Sequence, residues 1–235
     1  MDNNCSKEKF VEFLASLLTG DSELLENTVK KFEGFSDLIR KHNSQFGLTS
    51  DNDLEFLWVR HFQDSLMAMK LFPQLFNLEE AGGVKRVIDI GSGSGFPGVP
   101  LAILNPSFEF ILLEPNKKRG FFLEQILIRA LNLSNVKLVR DRAEVTVKQK
   151  IFSNQYNLLV TRAVAHLDEL IPITFPFLEP GGSALYWVSA YVSRETNSLN
   201  IISSNNRGEY IGGNEYNLDV SDSEPRKAIV GFKKI

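Results

Sequence analysis

The chain has 235 residues, of which 43% are apolar and 23% charged, so it is long enough for one sizeable α/β domain with an extension. The formal net charge of −3 argues against a protein that coats nucleic acid non-specifically, although it allows a local basic patch. No window approaches the roughly 18 consecutive apolar residues of a membrane span, and the N-terminal residues lack the apolar region of a secretory signal, so we expect a cytoplasmic protein.

Residues 6–76 carry apolar side chains at helical spacing, which predicts a layer of helices. The predicted helices are 6–18, 21–43 and 51–72. The second begins at the cap candidates Asp21 and Ser22, and its apolar stripe consists of Leu24, Leu25, Val29, Phe32 and Phe35. The third ends at Pro73, which cannot continue a helix. We therefore assign residues 1–80 to an N-terminal helical extension.

From Arg86 onward, short β-rich runs alternate with helical stretches. The strand candidates are 86–90, 109–114, 136–140, 156–161 and 184–188, followed by a final pair at 208–220 and 227–233. Helices are expected to begin near Pro97, Lys117, Glu144 and Leu167. This alternation predicts a parallel sheet with helices on both faces. Residues 81–235 are therefore expected to form a doubly wound α/β domain.

The stretch RVIDIGSGSGFPGVPLAIL, residues 86–104, places glycines after a strand, a position where a backbone often approaches a ligand closely. Two registers compete. From Gly93 the letters match the dinucleotide pattern G-x-G-x-x-G, but Gly93 stands three residues past Ile90, the end of the strand. From Gly91 the glycines follow the strand directly and give D-I-G-S-G-S-G, with Asp89 as the penultimate strand residue.

The acid before the loop favours one of the two ligands. A pyrophosphate docks on a helix N-terminus, where a carboxylate such as Asp89 would oppose it. S-adenosylmethionine (SAM) has no phosphate, and its ammonium and sulfonium groups are cationic. Glu114 ends the second strand 23 residues beyond Gly91, where it can accept bonds from both ribose hydroxyls. The sequence therefore predicts that the cofactor is SAM. The alternative is a NAD-binding oxidoreductase that uses the Gly93 register, with His166 as the proton donor to its substrate.

Six segments have the order and spacing of a known bacterial family: RHFQDS, DIGSGSGFPGVPLAI, LLEPNKKRGFFL, DRAE, TRAVAHLDEL and LEPGG. Over roughly residues 35–235 the chain resembles the ribosomal small-subunit RNA guanine-N7 methyltransferases, also called the glucose-inhibited division protein B family. The resemblance implies a class I SAM-dependent methyltransferase fold, which is Rossmann-like with a mostly parallel seven-stranded sheet. It also implies methyl transfer to N7 of a guanine in small-subunit ribosomal RNA.

The resemblance implies roles for individual residues. Those around the methionine end of SAM are Gly91, Gly93, Gly95 and Phe96, and those beside the adenine are Ala143 and Glu144. The resemblance also implies that Arg162 stands at the tip of the fourth strand, facing the methyl group and the incoming base, which makes it the candidate catalytic residue. An arginine can donate to N7 and O6 of a purine together. Because N7 already carries a lone pair, positioning and electrostatics suffice and no general base is needed.

Basic residues near the predicted cofactor edge are candidates for RNA contact. They are Arg60, Lys117, Lys118, Arg119 and Arg142. The last four follow strands two and three on the cofactor side, where they can hold phosphates. His61 is expected to be a packed or capping histidine, while Phe96 and Trp187 are open to two interpretations, core packing or stacking on the base.

The sequence departs from the family pattern at two places. The family's W-N-K-x-x-N-L-T is HNSQFGLT at residues 42–49, and a Lys-Gly after the fifth strand is Val188-Ser189. If the family's lysine contacts RNA or the base, the second change removes a positive charge from the mouth of the site. It keeps open the alternative of a non-catalytic ribosome-associated factor. A SAM methyltransferase with another substrate is also open, because loops and the N-terminal layer set the target.

Cysteine and histidine content limits the remaining chemistry. The single cysteine, Cys5, excludes an internal disulfide and is typical of a reducing cytosol. The three histidines are scattered and no cysteine pair accompanies them, so no metal-site spacing is recognisable. We expect a monomer that works without metal or membrane and has small-subunit ribosomal RNA as its partner.

Overall fold

The computed structural model describes residues 3–18, 20–77, 84–162, 166–218 and 226–235. Its strands are Arg86–Ile90 (β1), Glu109–Leu113 (β2), Val136–Val139 (β3), Tyr156–Thr161 (β4), Leu178–Ser189 (β5), Gly208–Tyr216 (β6) and Lys227–Lys234 (β7). They form one sheet in the order β3-β2-β1-β4-β5-β7-β6.

The sheet is parallel through its first five strands and antiparallel at one edge. β3, β2, β1, β4 and β5 pair in parallel, whereas β7 runs antiparallel between β5 and β6. This confirms the expected mostly parallel seven-stranded sheet. The strand order reverses between β1 and β4, and open α/β sheets bind ligands outside the carboxyl ends of the strands at such a switch point.

Helices precede the sheet and connect its strands. They are Asn3–Leu18 (α1), Ser22–Phe46 (α2), Asp51–Glu55 (α3), Asp64–Leu71 (α4), Gly98–Leu104 (α5), Lys117–Phe121 (α6), Ile128–Ala130 (α7), Ala143–Thr146 (α8), Leu167–Thr174 (α9), Ala190–Arg194 (α10) and Thr196–Asn205 (α11). The described residues also contain two π-helical segments, Trp58–Gln63 and Phe122–Leu127, and two 3₁₀ turns, Pro73–Phe76 and Phe175–Phe177. The four helices predicted between the strands begin within one residue of their expected positions.

The second helix of the N-terminal layer shows why the sequence forms helices here. Asp21 caps α2 by accepting a hydrogen bond from the backbone N–H of Leu24, and Gly47 ends the helix in the left-handed conformation. Phe32 and Phe35 are fully buried as predicted, but the prediction for Leu24 is wrong because its side chain is 47% exposed. The first residues of α2 are exposed together, so this turn extends beyond the layer that the helix packs against.

The predicted helix 51–72 is not continuous. α3 ends at Glu55, and the π-helical segment Trp58–Gln63 leads into α4. A π turn contains one more residue than an α turn, and such turns occur frequently at functional sites. Here it accompanies the burial of Phe62 on one side and of Asp64, only 1% exposed, on the other. A search for 3.6-residue periodicity does not detect such an inserted residue.

The C-terminal third differs most from the prediction. β5 begins at Leu178, six residues before the predicted start at residue 184. The prediction was late because Pro180 and the two glycines that follow resemble a turn. In the structure Gly182 lies in the strand, and a Cβ there would stand only 2.8 Å from the backbone oxygen of Tyr156 on β4. α10 and α11 occupy residues where no helix was predicted. The predicted strand 208–220 ends at Tyr216, and residues 219–220 lie outside the described ranges.

The N-terminal helices share an apolar cluster with one face of the sheet. The cluster joins Phe10 and Phe32 of that layer to Val87 of β1 and Ile229 of β7. The predicted boundary at residues 80/81 lies within 78–83, outside the described residues, and stays a prediction. No described helix combines the length and apolar character of a membrane span.

Candidate active site

Glycines after β1 leave an open cleft at the carboxyl end of the strand. Gly91 and Gly93 both have positive φ, +74° and +58°, which L side chains rarely adopt. A Cβ at Gly91 would meet no described atom within 4 Å, and at Gly93 only the Gly91 oxygen at 3.9 Å. Backbone is therefore exposed at these two positions, as a closely bound ligand requires.

The rest of the glycine segment faces the protein. Gly95 also has positive φ, but a Cβ there would stand 2.9 Å from the Val99 side chain and 3.3 Å from Phe35 of α2. Phe96 is 5% exposed and stacks on Phe35 with ring centroids 5.2 Å apart. The structure thus places Gly95 and Phe96 under the N-terminal layer, where Phe96 packs in the core rather than presenting a free face.

Asp89 lies at the base of the cleft with an incompletely bonded carboxyl group. Its Oδ2 accepts a hydrogen bond from the backbone N–H of Gly98 at 2.9 Å, and its Oδ1 is buried without a partner among the described residues. Burial raises the pKa of Asp89 to about 7. A Cβ at Gly98 would stand 2.6 Å from Oδ2, so α5 approaches β1 this closely only with glycine there.

Glu114 stands directly after β2, on the other side of the cleft. Its Oε2 accepts from the backbone N–H of Gly93 at 2.7 Å, and its Oε1 accepts from that of Asn116 at 2.8 Å. Each carboxylate oxygen can accept a second hydrogen bond. The buried carboxylate therefore orders the glycine loop and retains acceptor capacity for two hydroxyl groups.

These features fit SAM. The backbone at Gly91 and Gly93 is open to the methionine end of SAM. The unpartnered oxygen of Asp89 can accept from its ammonium group, and the Glu114 carboxylate has free lone pairs for its ribose hydroxyls. Ala143 and Glu144 form the start of α8, after β3, where Ala143 is half-buried and Glu144 exposed. Among the described residues, no cluster of His, Cys, Asp or Glu resembles a metal site.

A second site lies beside the cleft, at the ends of β4, β5 and β7, and its centre is Asp64 of α4. Asp64 Oδ2 accepts from Arg162 Nη1 at 2.9 Å, while Oδ1 accepts from Tyr216 Oη at 2.8 Å and from Lys227 Nζ at 3.2 Å. The backbone oxygen of Asp64 accepts from the indole N–H of Trp187. Asp64, through its carboxylate and its backbone oxygen, thus joins the helical layer to β5, β6 and β7 and to Arg162, the residue after β4.

Arg162, the candidate catalytic residue, is held on several sides. Its Nη1 also donates to the backbone oxygen of Arg60, its Nη2 lies 2.8 Å from His61 Nδ1, and its guanidinium lies 5.1 Å from the centre of the Phe96 ring. Burial and then the charges of Arg162, Lys227 and Arg60 lower the pKa of His61 well below its usual range. Neutral His61 therefore accepts from Arg162, and the packed role expected for it agrees with these contacts.

A cavity of about 430 Å³ opens between these groups. Its lining residues are Asp53, Arg60, His61, Asp64, Arg162, Trp187, Val188, Ser189, Tyr216, Arg226 and Lys227. This volume is in the range of small-ligand pockets, about 300–1,000 Å³. Phe96, which follows Gly95, packs behind the cavity wall, because its ring contacts both His61, with centroids 4.7 Å apart, and Arg162.

Of the five residues predicted to contact RNA, the structure places one at the cavity and four away from its wall. Arg60 lines the cavity, pairs with Asp53 at 3.3 Å and packs its guanidinium on a neighbouring aromatic ring. Lys117, Lys118, Arg119 and Arg142 are not among the residues that line it. Lys117 and Lys118 are exposed at the start of α6, where Asn116 caps the helix, and Arg142 is exposed before α8.

The segment that departs from the family pattern, residues 42–49, contacts the glycine loop and His61. Asn43 Oδ1 accepts from the backbone N–H groups of Leu48 and Thr49, which shapes the turn after α2. Ser94 of the glycine loop donates to the Leu48 oxygen, and Thr49 Oγ1 lies 3.3 Å from His61 Nε2. The turn therefore contacts both the glycine loop and the wall of the cavity.

Sequence reasoning missed Asp64, Tyr216 and Lys227. It inferred a lost positive charge at Val188-Ser189, yet Ser189 pairs with Lys227 across the β5–β7 ladder, and Lys227 lines the same cavity. The charge at the mouth is thus present on another strand. The signal was the pairing of the two final strands, which a single sequence does not establish.

Comparisons with known proteins agree with this geometry. The family model described as rRNA small subunit methyltransferase G matches residues 28–207. The chain belongs to this family. It is similar to the ribosomal RNA small subunit methyltransferase G of Oenococcus oeni, with 30% identity over 93% of this chain and 86% of that protein. With that of Lactococcus lactis it shares 30% identity over 95% of this chain and 90% of the relative.

Solved structures with low sequence identity share the fold. The M. jannaschii TYW2 in complex with AdoMet has a TM-score of 0.54 at 17% identity, covering 74% of this chain and 77% of that one. A putative transferase of Pyrococcus horikoshii has a TM-score of 0.56 at 11% identity, covering 97% and 98%. Family and fold together establish a class I methyltransferase fold, and the oxidoreductase alternative in the Gly93 register is wrong.

Proposed function

We propose that this protein is a SAM-dependent methyltransferase of the bacterial cytoplasm that methylates N7 of a guanine in small-subunit ribosomal RNA. The observation that carries the proposal is the adjacency of two sites, the glycine cleft and the cation-lined cavity. Thr161, the residue before Arg162, donates to the backbone oxygen of Ile90, the residue before Gly91, and Arg162 lines the cavity. Membership of the rRNA small subunit methyltransferase G family supports both the reaction and the RNA substrate. We further propose that it acts as a monomer without a metal.

The glycine cleft binds the cofactor. Gly91 and Gly93 expose backbone to the methionine end, the Asp89 carboxyl group faces its ammonium, and Glu114 accepts from the ribose hydroxyls. When bound, SAM supplies an electrophilic methyl group on a sulfonium. Glu114 also keeps the loop in place through Gly93, so cofactor binding and loop geometry depend on the same carboxylate.

The cavity binds the acceptor base. Guanine N7 carries a lone pair and needs no general base, so the residues need only orient the base and exclude water. Arg162 is fixed by Asp64 and by the backbone of Arg60, which leaves its charge at the wall where N7 and O6 of a purine can be recognised. His61 stays neutral and positions Arg162 rather than transferring a proton.

The test is transfer of tritiated methyl from SAM to small ribosomal subunits, or to their naked RNA, taken from a strain that lacks this modification. We expect label in N7-methylguanosine, and its loss in Arg162→Ala. The matched control is Arg129→Ala, because Arg129 lies at the end of α7 and does not line the cavity. Unlabelled RNA alongside demonstrated SAM binding would contradict the substrate assignment and leave the cofactor assignment in place.

A further inference from the structure

The cations of the cavity are graded in depth. The side chain of Arg226 is 63% exposed and that of Lys227 is 35% exposed, whereas Arg162 is 18% and Asp64 only 1% exposed. The walls between them include Trp187, which is buried. Bases bind in enclosed aromatic pockets, whereas phosphates stay near solvent. The grading therefore separates a deep region for a base from a charged mouth.

Lys227 is fixed at this mouth by two independent contacts. Its backbone pairs with Ser189 at the last rung of the β5–β7 ladder, and its Nζ donates to the buried Oδ1 of Asp64 at 3.2 Å. An ammonium has three donors, so the bond to Asp64 leaves others for a ligand. Two cations, Lys227 and Arg162, contact this single carboxylate, which leaves the wall with an excess positive charge.

Arg226 extends the charge outward. Its backbone oxygen accepts from the N–H of Ala190, which fixes the start of β7 beside α10. Its guanidinium stands 3.8 Å from Glu215, whose carboxylate already accepts two closer bonds from Arg194, at 2.6 and 2.8 Å. Arg226 is thus loosely paired, and a planar guanidinium can bind a phosphate through two hydrogen bonds.

We infer that Lys227 and Arg226 form a binding site for the RNA phosphate next to the acceptor nucleotide, and that Asp64 is the positioning residue that holds Lys227 there. The inference rests on the proposed function for the identity of the base in the cavity. The backbone phosphate is the group that accompanies any base extruded from its stack into a pocket. Lys227 therefore anchors the nucleotide at its backbone while Arg162 faces the base.

The experiment measures equilibrium binding of unmodified small-subunit RNA to Lys227→Met across a series of KCl concentrations, together with SAM affinity and the KM for RNA. Removing one phosphate contact lowers the slope of log K against log salt by about 1. It weakens RNA binding about tenfold, the equivalent of one charge-assisted hydrogen bond. SAM affinity stays unchanged, and Lys227→Arg restores most of the slope because it keeps the charge.

Lys233→Met is the matched control. Lys233 is an exposed lysine of the same strand that pairs with Ser183 at the opposite end of the β5–β7 ladder, just as Lys227 pairs with Ser189. If Lys227→Met changes the salt slope no more than Lys233→Met does, the inference is wrong. If Lys227→Met does not fold, the same salt series is measured on Arg226→Gln, whose position is exposed. An unchanged salt slope in Arg226→Gln also overturns the inference.

The inference and the proposed function fail separately. Because RNA binding is measured without methyl transfer, a slope that depends on Lys227 supports the phosphate site even if the wild-type protein forms no N7-methylguanosine. Normal methyl transfer by Lys227→Met, with wild-type KM for RNA and salt slope, overturns the site while the function stands.

Discussion

The glycine cleft and the cation-lined cavity lie side by side but are built differently. The cleft consists of exposed backbone at Gly91 and Gly93, with single carboxyl groups on either side of it. The cavity consists of side-chain charges that converge on Asp64. Backbone geometry depends on a few local hydrogen bonds, whereas converging charges depend on one another.

This difference predicts different responses to mutation. In the cleft, removing one group changes ligand binding more than folding, because each group has local partners. In the cavity, removing the shared carboxylate leaves Arg162 and Lys227 partly buried beside each other without a counter-charge. The cavity therefore couples binding to stability more strongly than the cleft does.

Asp64→Asn gives the largest expected effect. The amide keeps the size of the side chain but removes the charge that Arg162 and Lys227 share, so the free energy of unfolding should fall by about 3 kcal/mol. Urea denaturation measures this loss. Glu124→Gln is the control, because the Glu124–Arg140 pair is about 40% exposed on both sides, and exposed pairs contribute about 0–1 kcal/mol. Equal losses in the two variants would contradict the role of Asp64 as a shared counter-charge.

Glu114→Gln tests the cleft and should act mainly on the cofactor. Glutamine has one acceptor oxygen, so either Gly93 or Asn116 loses its backbone partner, and the ribose loses a charged acceptor. We expect SAM affinity to fall about tenfold or more, the equivalent of about 1.5–3 kcal/mol. Isothermal titration calorimetry measures this directly.

The control for Glu114→Gln lies on the same strand. Glu109 begins β2 at the other end of the sheet, and its exposed side chain stands 3.9 Å from Arg86. Glu109→Gln should bind SAM like the wild type. If both substitutions lower SAM affinity equally, the cleft does not bind the ribose through Glu114.

The cleft could be predicted from the sequence because its parts are close along the chain. Asp89, the glycines and Glu114 lie within 26 residues, and the strand–loop–helix pattern places them at one edge of a parallel sheet. What the sequence could not show is that Gly95 and Phe96 turn toward α2. That orientation depends on Phe35, which packs against both.

The cavity could not be predicted because its parts are distant. Asp64 and Lys227 are 163 positions apart, and their contact requires the order of the final strands and the π turn before α4. The sequence predicted a strand at 227–233 and placed Asp64 in RHFQDS, but not their proximity. Contacts between polar residues at the ends of helices and strands can be predicted only when the pairing of the strands is known.

Asp89→Asn gives the smallest expected effect and separates electrostatics from geometry within the cleft. The pKa of Asp89 is raised from 3.8 to about 7 by burial, so between these values the folded protein binds more protons than the unfolded chain. Stability attributable to Asp89 is therefore complete below about pH 4 and is lost as the pH rises through about 7.

Asparagine at position 89 keeps the acceptor for Gly98 N–H and does not titrate. From about pH 6 to about pH 8, the wild type should lose about 1 kcal/mol of unfolding free energy relative to Asp89→Asn. Urea denaturation at both pH values measures this, with Asp37→Asn, at an exposed position of α2, expected to follow the wild type. A constant difference between wild type and Asp89→Asn would contradict the raised pKa of about 7, because the carboxyl group would then have no titration of its own between these two pH values.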